Sequence, residues 1–147
     1  PYRMLMDRAS KGEPISIYGN PERVKEIVYI KDFTQVVVNA ARSSLDGGFY
    51  NIGSPYRVSL DKMIRGIVDV FSPEDHKSQI SYDPSKPDTL QSMLDWTKTH
   101  DELGYAPQYD YIRLLEDFKE EMQAEPMAGL WGNRSDYEKF YAEKCDH

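Results

Sequence analysis

Tyr82 and Lys86 stand at i and i+4 in this sequence. On a helix that spacing puts both on one face, where an ammonium can lower a phenol's pKa and make it a general acid or base. Here Pro84 lies between the two and Pro87 follows, and both oppose a helix. The pair therefore reads as a chance match, and no catalytic residue is assigned. A second grouping is cationic. Arg23, Lys25 and Lys31 cluster in an otherwise acidic stretch, beside Glu22 and Glu26. They can meet a phosphate or form a solvated strand face balanced by those carboxylates. Gly47, Gly48 and Gly53 follow an expected helix and bracket an expected strand. A phosphate loop instead joins a strand to the helix it opens, so these glycines read as a helix stop and a strand end. His76, His100 and His147 are scattered without ligand spacing, so no metal is expected. No Gly-x-Ser-x-Gly elbow occurs, and a hydrolase triad has no support.

The elements that would hold these groups belong to an ordinary folded domain. Of 147 residues, 39% are apolar and 29% charged, which places the chain among soluble globular proteins rather than disordered ones. The net charge of −7 argues against a nucleic-acid partner. Cys145 is the only cysteine; it can close no internal disulfide, and a reducing, cytoplasmic setting is expected. No apolar run approaches the ~18 residues of a membrane-spanning helix, so no membrane partner is expected.

Periodicity and stop signals set out the order of elements. Met4 to Lys11 reads as a helix end stopped by Gly12 and Pro14. Ile15 to Tyr18 alternates like a strand, and Ile27 to Ile30 reads as a second one. Asp32 and Gln35 have the capping-box spacing for a helix whose apolar face is Phe33, Val36, Val37, Ala40 and Ala41. Phe49 to Ile52 reads as a short strand. Ser59 caps a helix with the stripe Leu60, Met63, Ile64, Ile67, Val68 and Phe71. Ile80 to Tyr82 is a strand, and Thr97 to Leu103 a helix closed by Gly104. Asp110 caps a helix carrying Ile112, Leu115, Phe118 and Met122. Ser135 to Glu138 repeats the capping-box pattern and opens a short helix with Tyr137, Phe140 and Tyr141 on one side. The expected fold class is α/β: a small mixed domain of short strands and about five helices. The weakest joint is Glu125 to Arg134, which divides the chain into 1–125 and a terminal loop and helix over 126–147.

Three stretches, in order, resemble the NAD-dependent epimerases and dehydratases of nucleotide sugars, the extended short-chain dehydrogenases typified by UDP-glucose 4-epimerase. Gly12-Glu13-Pro14-Ile15-Ser16-Ile17-Tyr18-Gly19-Asn20 with Lys25-Glu26-Ile27-Val28-Tyr29-Ile30-Lys31-Asp32 is similar to "G-x-P-I-x-I-x-G" and "R-D-F-V-Y-V-x-D". Gly48-Phe49-Tyr50-Asn51-Ile52-Gly53-Ser54 with Val58-Ser59-Leu60 is similar to "G-x-x-Y-N-I-G-S" and "x-S-x-x-E". Tyr82 to Asp88, Leu94 to Lys98 and Glu102 to Pro107 look like "R-P-G-D", "D-x-S-K" and "E-L-G-W-x-P". The resemblance runs over roughly residues 1 to 122.

It covers only the C-terminal part of such an enzyme's Rossmann-type fold. The half with the glycine-rich loop, the catalytic Ser or Thr and the Tyr-x-x-x-Lys pair has no counterpart here. The resemblance implies a substrate-binding portion of an isomerase or lyase, inactive alone, whose partners are a nucleotide sugar and the missing N-terminal half. That half would hold NAD; this fragment itself would bind no cofactor. By position, Lys25 and Lys86 fall where the family places arginines that meet the diphosphate. Lysine supplies the charge without the bidentate fork. Arg23 joins the same cluster, and Asn51 ends a strand near where the substrate would lie. Asp32 is expected to order the helix that follows it. The alternative is a stand-alone binding module derived from the same fold.

Overall fold

A computed structural model of the chain describes residues 2–85 and 93–124. Lys86, the aromatic stripe of Tyr137, Phe140 and Tyr141, and Cys145 lie outside the described residues. The chain divides into two units, 1–115 and 116–147. The elements are α1 (Tyr2–Ser10), β1 (Ile15–Tyr18), β2 (Val24–Glu26), α2 (Ile30–Arg42), β3 (Arg57–Ser59), α3 (Leu60–Phe71), β4 (Ile80–Asp83), α4 (Thr97–Leu103) and α5 (Tyr111–Ala124). This is the expected mixed α/β fold with five helices among the described residues.

α3 organises the first unit. Its apolar stripe Leu60, Met63, Ile64, Ile67, Val68 and Phe71 is buried throughout. Ser59 Oγ accepts from Lys62 N at 3.2 Å and starts the helix as expected. β1 and α1 pack against α3, burying Ile15, Ile17, Met6 and Ala9. Gly12 takes φ 68°, which lets the chain leave α1 and turn into β1. Gly66 makes room on α3 for the ring of Tyr111, since a Cβ there would lie 3.0 Å from Tyr111 Cε1.

β1 pairs in parallel with β4, Ile15 with Ile80 through Tyr18 with Asp83. β2 and β3 form a separate antiparallel ribbon, Val24 with Ser59, Lys25 with Val58 and Glu26 with Arg57. A second apolar cluster joins Val36, Leu103 and Tyr105, with Tyr50, Ile52 and Trp96 against it. The ring of Trp96 stands edge-on to that of Tyr105, centroids 5.5 Å apart. Gly104 has φ 64° and ends α4 in the left-handed conformation that glycine allows.

Four local expectations are overturned. The second strand occupies Val24–Glu26, not Ile27–Ile30. Val24–Glu26 has a ladder partner in β3, whereas the more β-prone 27–30 ends in buried Tyr29, its ring tilted at 56° against that of Tyr109 with centroids 4.9 Å apart, and in the first residue of α2. Phe49–Ile52 is not a strand. Phe49 is 98% exposed, and its neighbours are held by side chains instead: the Tyr50 hydroxyl donates to Glu102 at 2.7 Å. Asp32 does not cap α2, whose N-cap is Tyr29 without a side-chain bond. Asp32 is 3% exposed and reaches across to the segment before α5. The apolar face expected for α2 is likewise largely turned outward, with Phe33 44% and Val37 52% exposed, and of that face only Val36 is buried.

Candidate functional site

The carboxyl ends of parallel strands are where open α/β sheets gather ligands, because their connections diverge there. Here β1 ends at Tyr18 and β4 at Asp83, side by side in register. Gly19 follows with φ 77°, and its N–H donates to the Asp83 carbonyl at 3.1 Å. Asn20 Oδ1 accepts from Glu22 N at 2.9 Å, and Arg23 N donates to the Asn20 carbonyl at 3.1 Å. This tight turn feeds the chain from β1 through Arg23 into β2, which carries Lys25. On the β4 side, Asp83 Oδ1 accepts from Ser85 N at 2.9 Å, one residue before Lys86.

Alternation along an extended chain puts Arg23 and Lys25 on one side of the ribbon and Val24 and Glu26 on the other. Two of the four candidate residues are thus brought together. Both are half-buried. Asn51 is placed separately: its Nδ2 donates to the Asp95 carbonyl at 2.9 Å, and its own carbonyl accepts from the Thr99 hydroxyl. Its side-chain donor therefore anchors the chain ahead of α4.

Glu26 is the functional-looking residue that composition and spacing did not single out. Its Oε1 accepts from Ser54 N at 2.9 Å and its Oε2 from Leu94 N at 3.3 Å. One carboxylate so joins β2 to the turn after Ile52 and to the chain leading into α4. The signal was present: Glu26 occupies the Asp position of the "R-D-F" block, directly after Lys25. Tyr105 completes this frame. Its hydroxyl donates to the Gly53 carbonyl at 2.8 Å. Burial, with the nearby charges of Asp32 and Glu26, pushes that phenol up to about 12.

Tyr82 lies on strand β4, not on a helix, and its hydroxyl is taken up by α3. It donates to Asp61 Oδ1 at 2.6 Å and accepts from Arg65 Nη2 at 2.8 Å, while Arg65 Nε spans both Asp61 oxygens at 3.0 and 2.9 Å. The bonds from Arg65 and Tyr82 hold the Asp61 carboxyl below the usual carboxylate range. The same bond to Asp61 raises the Tyr82 phenol. A tyrosine fixed in this way as a neutral donor is not poised as a base. Among the described residues, no group of three His, Cys, Asp or Glu side chains could hold a metal. The strand-to-helix turns, 27–29 before α2 and the direct step from Ser59 to Leu60, contain no glycine. The described residues therefore do not fit the phosphate loop of a dinucleotide.

This fold is similar to about a third of several solved epimerase structures. It superimposes on the UDP-N-acetylglucosamine 4-epimerase of Bacillus cereus with a TM-score of 0.68 at 21% identity, covering 82% of this chain and 38% of that one. For WbmF of Bordetella bronchiseptica in complex with NADH, the TM-score is 0.66 at 19% identity, over 83% of this chain and 36% of that one. Among curated proteins, the chain is 27% identical over 116 residues to the dTDP-glucose 4,6-dehydratase of Xanthomonas campestris pv. campestris (strain B100), which is 74% of this chain and 33% of that protein. It is 27% identical over 112 residues to the low-salt glycan biosynthesis protein Agl12 of Haloferax volcanii, 76% of this chain and 36% of that one. No family model matches the chain. Its sequence relatives and structural neighbours are thus NAD-dependent epimerases and dehydratases, as the three motif blocks implied, and it spans about a third of the length of the curated relatives it matches.

Proposed function

We propose that this chain is the nucleotide-sugar-binding portion of an NAD-dependent epimerase or dehydratase, with NAD and the catalytic groups held by a separate dinucleotide-binding half. The observation that supports the reading is that Arg23 and Lys25 sit on and just before the ribbon strand that follows β1, while β4, the parallel partner of β1, ends three residues before Lys86. In this reading the lysines meet the diphosphate as point charges, and Asn51 borders the sugar pocket. The reaction served would be transient oxidation of a sugar hydroxyl followed by epimerisation or dehydration. None of it would run on this chain alone, which would bind no dinucleotide.

A second feature supports a missing half. Ile30, Phe33 and Val37 recur at helical spacing on α2 and are 63%, 44% and 52% exposed. An apolar stripe on an amphipathic helix is ordinarily covered. The closed core of α1, β1 and α3 supports the alternative, a stand-alone binding module.

Calorimetric titration of the chain with UDP-glucose and dTDP-glucose tests the proposal. Binding that weakens about tenfold or more in the Lys25→Ala, Lys86→Ala double variant is expected for two lost charge-assisted contacts. Binding indifferent to both substitutions would refute the assigned site. The mass of the protein in its source cell separates the two readings. Room for a dinucleotide domain favours the enzyme part, and a mass equal to 147 residues favours the module.

A further inference from the structure

We infer that the cleft between β3, the first turns of α3 and the start of α5 binds a phosphomonoester carried on a flat ring, such as a nucleoside monophosphate. The cleft measures about 580 Å³ and is lined in part by Tyr56, Arg57, Lys62, Arg65, Asp110 and Tyr111. That volume lies within the ~300–1,000 Å³ of small-molecule sites.

The charge balance inside it favours an anion. Arg65 is committed to Asp61 and Tyr82. Asp69, also in the wall, faces Lys77 at 3.5 Å, which leaves Asp110, whose Oδ1 accepts from the backbone N of Arg113 at 2.9 Å, as the one unpaired carboxylate of the described wall against two cations. Arg57 and Lys62 are both exposed, and neither side chain makes a hydrogen bond or ion pair among the described residues. Two uncommitted cations on one wall of a cleft, in a chain of net charge −7, form a local positive site. Arg57 brings a fork that matches phosphate oxygens, and Lys62 a mobile point charge.

The aromatic walls specify the rest of the ligand. Tyr111 donates its hydroxyl to the Met63 carbonyl at 3.0 Å, which fixes its ring against α3 over Gly66. Tyr56 is 38% exposed on the loop leading into β3. A flat ring gains stacking area against such side chains. The site is distinct from the candidate residues above. Arg23, Lys25 and Asn51 do not line it. The inference stands independently of the function proposed above.

The test is an amide-resolved NMR titration of the full chain with AMP, run in parallel with inorganic phosphate. The expected result is saturable shifts centred on Tyr56 to Lys62 and Tyr111. AMP should bind more tightly than phosphate, and the Arg57→Gln, Lys62→Gln double variant should lose about tenfold or more in affinity while Lys25→Ala changes nothing. Both substitutions are on exposed side chains, and an unchanged spectrum elsewhere verifies the fold. Arg57→Lys, which keeps the charge and removes the fork, should lose part of the affinity. No saturable shift, phosphate binding as tightly as AMP, or affinity that follows Lys25 rather than Arg57 and Lys62 would overturn the assignment.

Discussion

Gln35 holds Ala106 by both of that residue's peptide groups. The Ala106 N–H donates to Gln35 Oε1 at 2.8 Å, and Gln35 Nε2 donates to the Ala106 carbonyl at 3.3 Å. The side-chain amide thereby acts as a one-residue strand. Asp32 and Asn39 extend the same helix face, Asp32 accepting from Gln108 N and Tyr109 N, and Asn39 donating to the Leu103 carbonyl at 2.8 Å. α2 thus fastens residues 103 to 109 with a polar ladder that flanks the apolar contact of Val36 with Leu103 and Tyr105.

Removing the middle rung should cost stability without changing the fold. Gln35→Ala deletes two hydrogen bonds, each worth about 1 kcal/mol net, at a partly exposed position. A loss of about 1–2 kcal/mol in urea unfolding is expected. Gln35→Glu keeps the acceptor for Ala106 N but loses the donor to its carbonyl, so it should fall between wild type and Ala.

Asp32 carries more. Its carboxylate is buried and satisfies two backbone N–H groups, which Asp32→Ala would leave without that acceptor. A destabilisation of about 2–4 kcal/mol is expected, larger than for Gln35→Ala. Asp32→Asn retains one acceptor oxygen and should lose less. Equal effects of Asp32→Ala and Asp32→Asn in denaturant melts would contradict the paired acceptor role.

Gly53 is required by closeness, not by backbone angle. A Cβ there would collide with Glu26 Oε1 and the Trp96 ring. Glu26 cannot swing away without releasing Ser54 N and Leu94 N. Gly53→Ala should therefore cost about 1–3 kcal/mol, as overpacking does. It should also raise amide exchange at Ser54 and Leu94. Unchanged exchange at both amides would show that Glu26 is not the clasp.

The Asp61, Arg65 and Tyr82 cluster predicts an acid response. The Asp61 carboxyl is held below its ordinary value, first by its bond from Arg65 and then by that from Tyr82. A carboxyl depressed in the folded state stabilises the fold above its unfolded pKa of about 3.9, and this contribution is lost as pH falls through the folded value. Arg65→Ala should raise the Asp61 midpoint, read by carbon-detected NMR, and shift the onset of acid unfolding upward. An unmoved midpoint would contradict the bond's role.

Local chemistry was legible in the sequence where an element's partners are its own neighbours or a generic apolar surface. The α3 stripe was read residue for residue because burying six apolar side chains on one face needs only a core, whatever its shape. Ser59, Gly104 and Asp110 announced helix ends because cap bonds close within three or four residues. β1 showed itself by alternation, Ile15 and Ile17 inward and Tyr18 outward. Of the candidate site, the clustering of Arg23 and Lys25 and the order of the motif blocks were legible in the sequence, but the strand was expected at 27–30, so the shared side of the ribbon came only with the folded β2.

Tertiary structure decided the elements whose partners lie far away in the chain. The strand formed at Val24–Glu26, despite a more β-prone stretch just after it, because Arg57–Ser59 offers its ladder there. α2 turned its polar residues inward because what it covers is an irregular segment, 103–109, whose bare N–H and C=O groups need hydrogen-bond partners more than apolar cover. Asp32 and Gln35 have a capping spacing, and that local signal lost to a partner some seventy residues on. Glu26 likewise became a clasp only when folding brought Ser54 and Leu94 to its two oxygens. Periodicity reports which residues share a face; only the folded chain determines what that face meets, and unpaired backbone groups can outweigh apolar area in that choice.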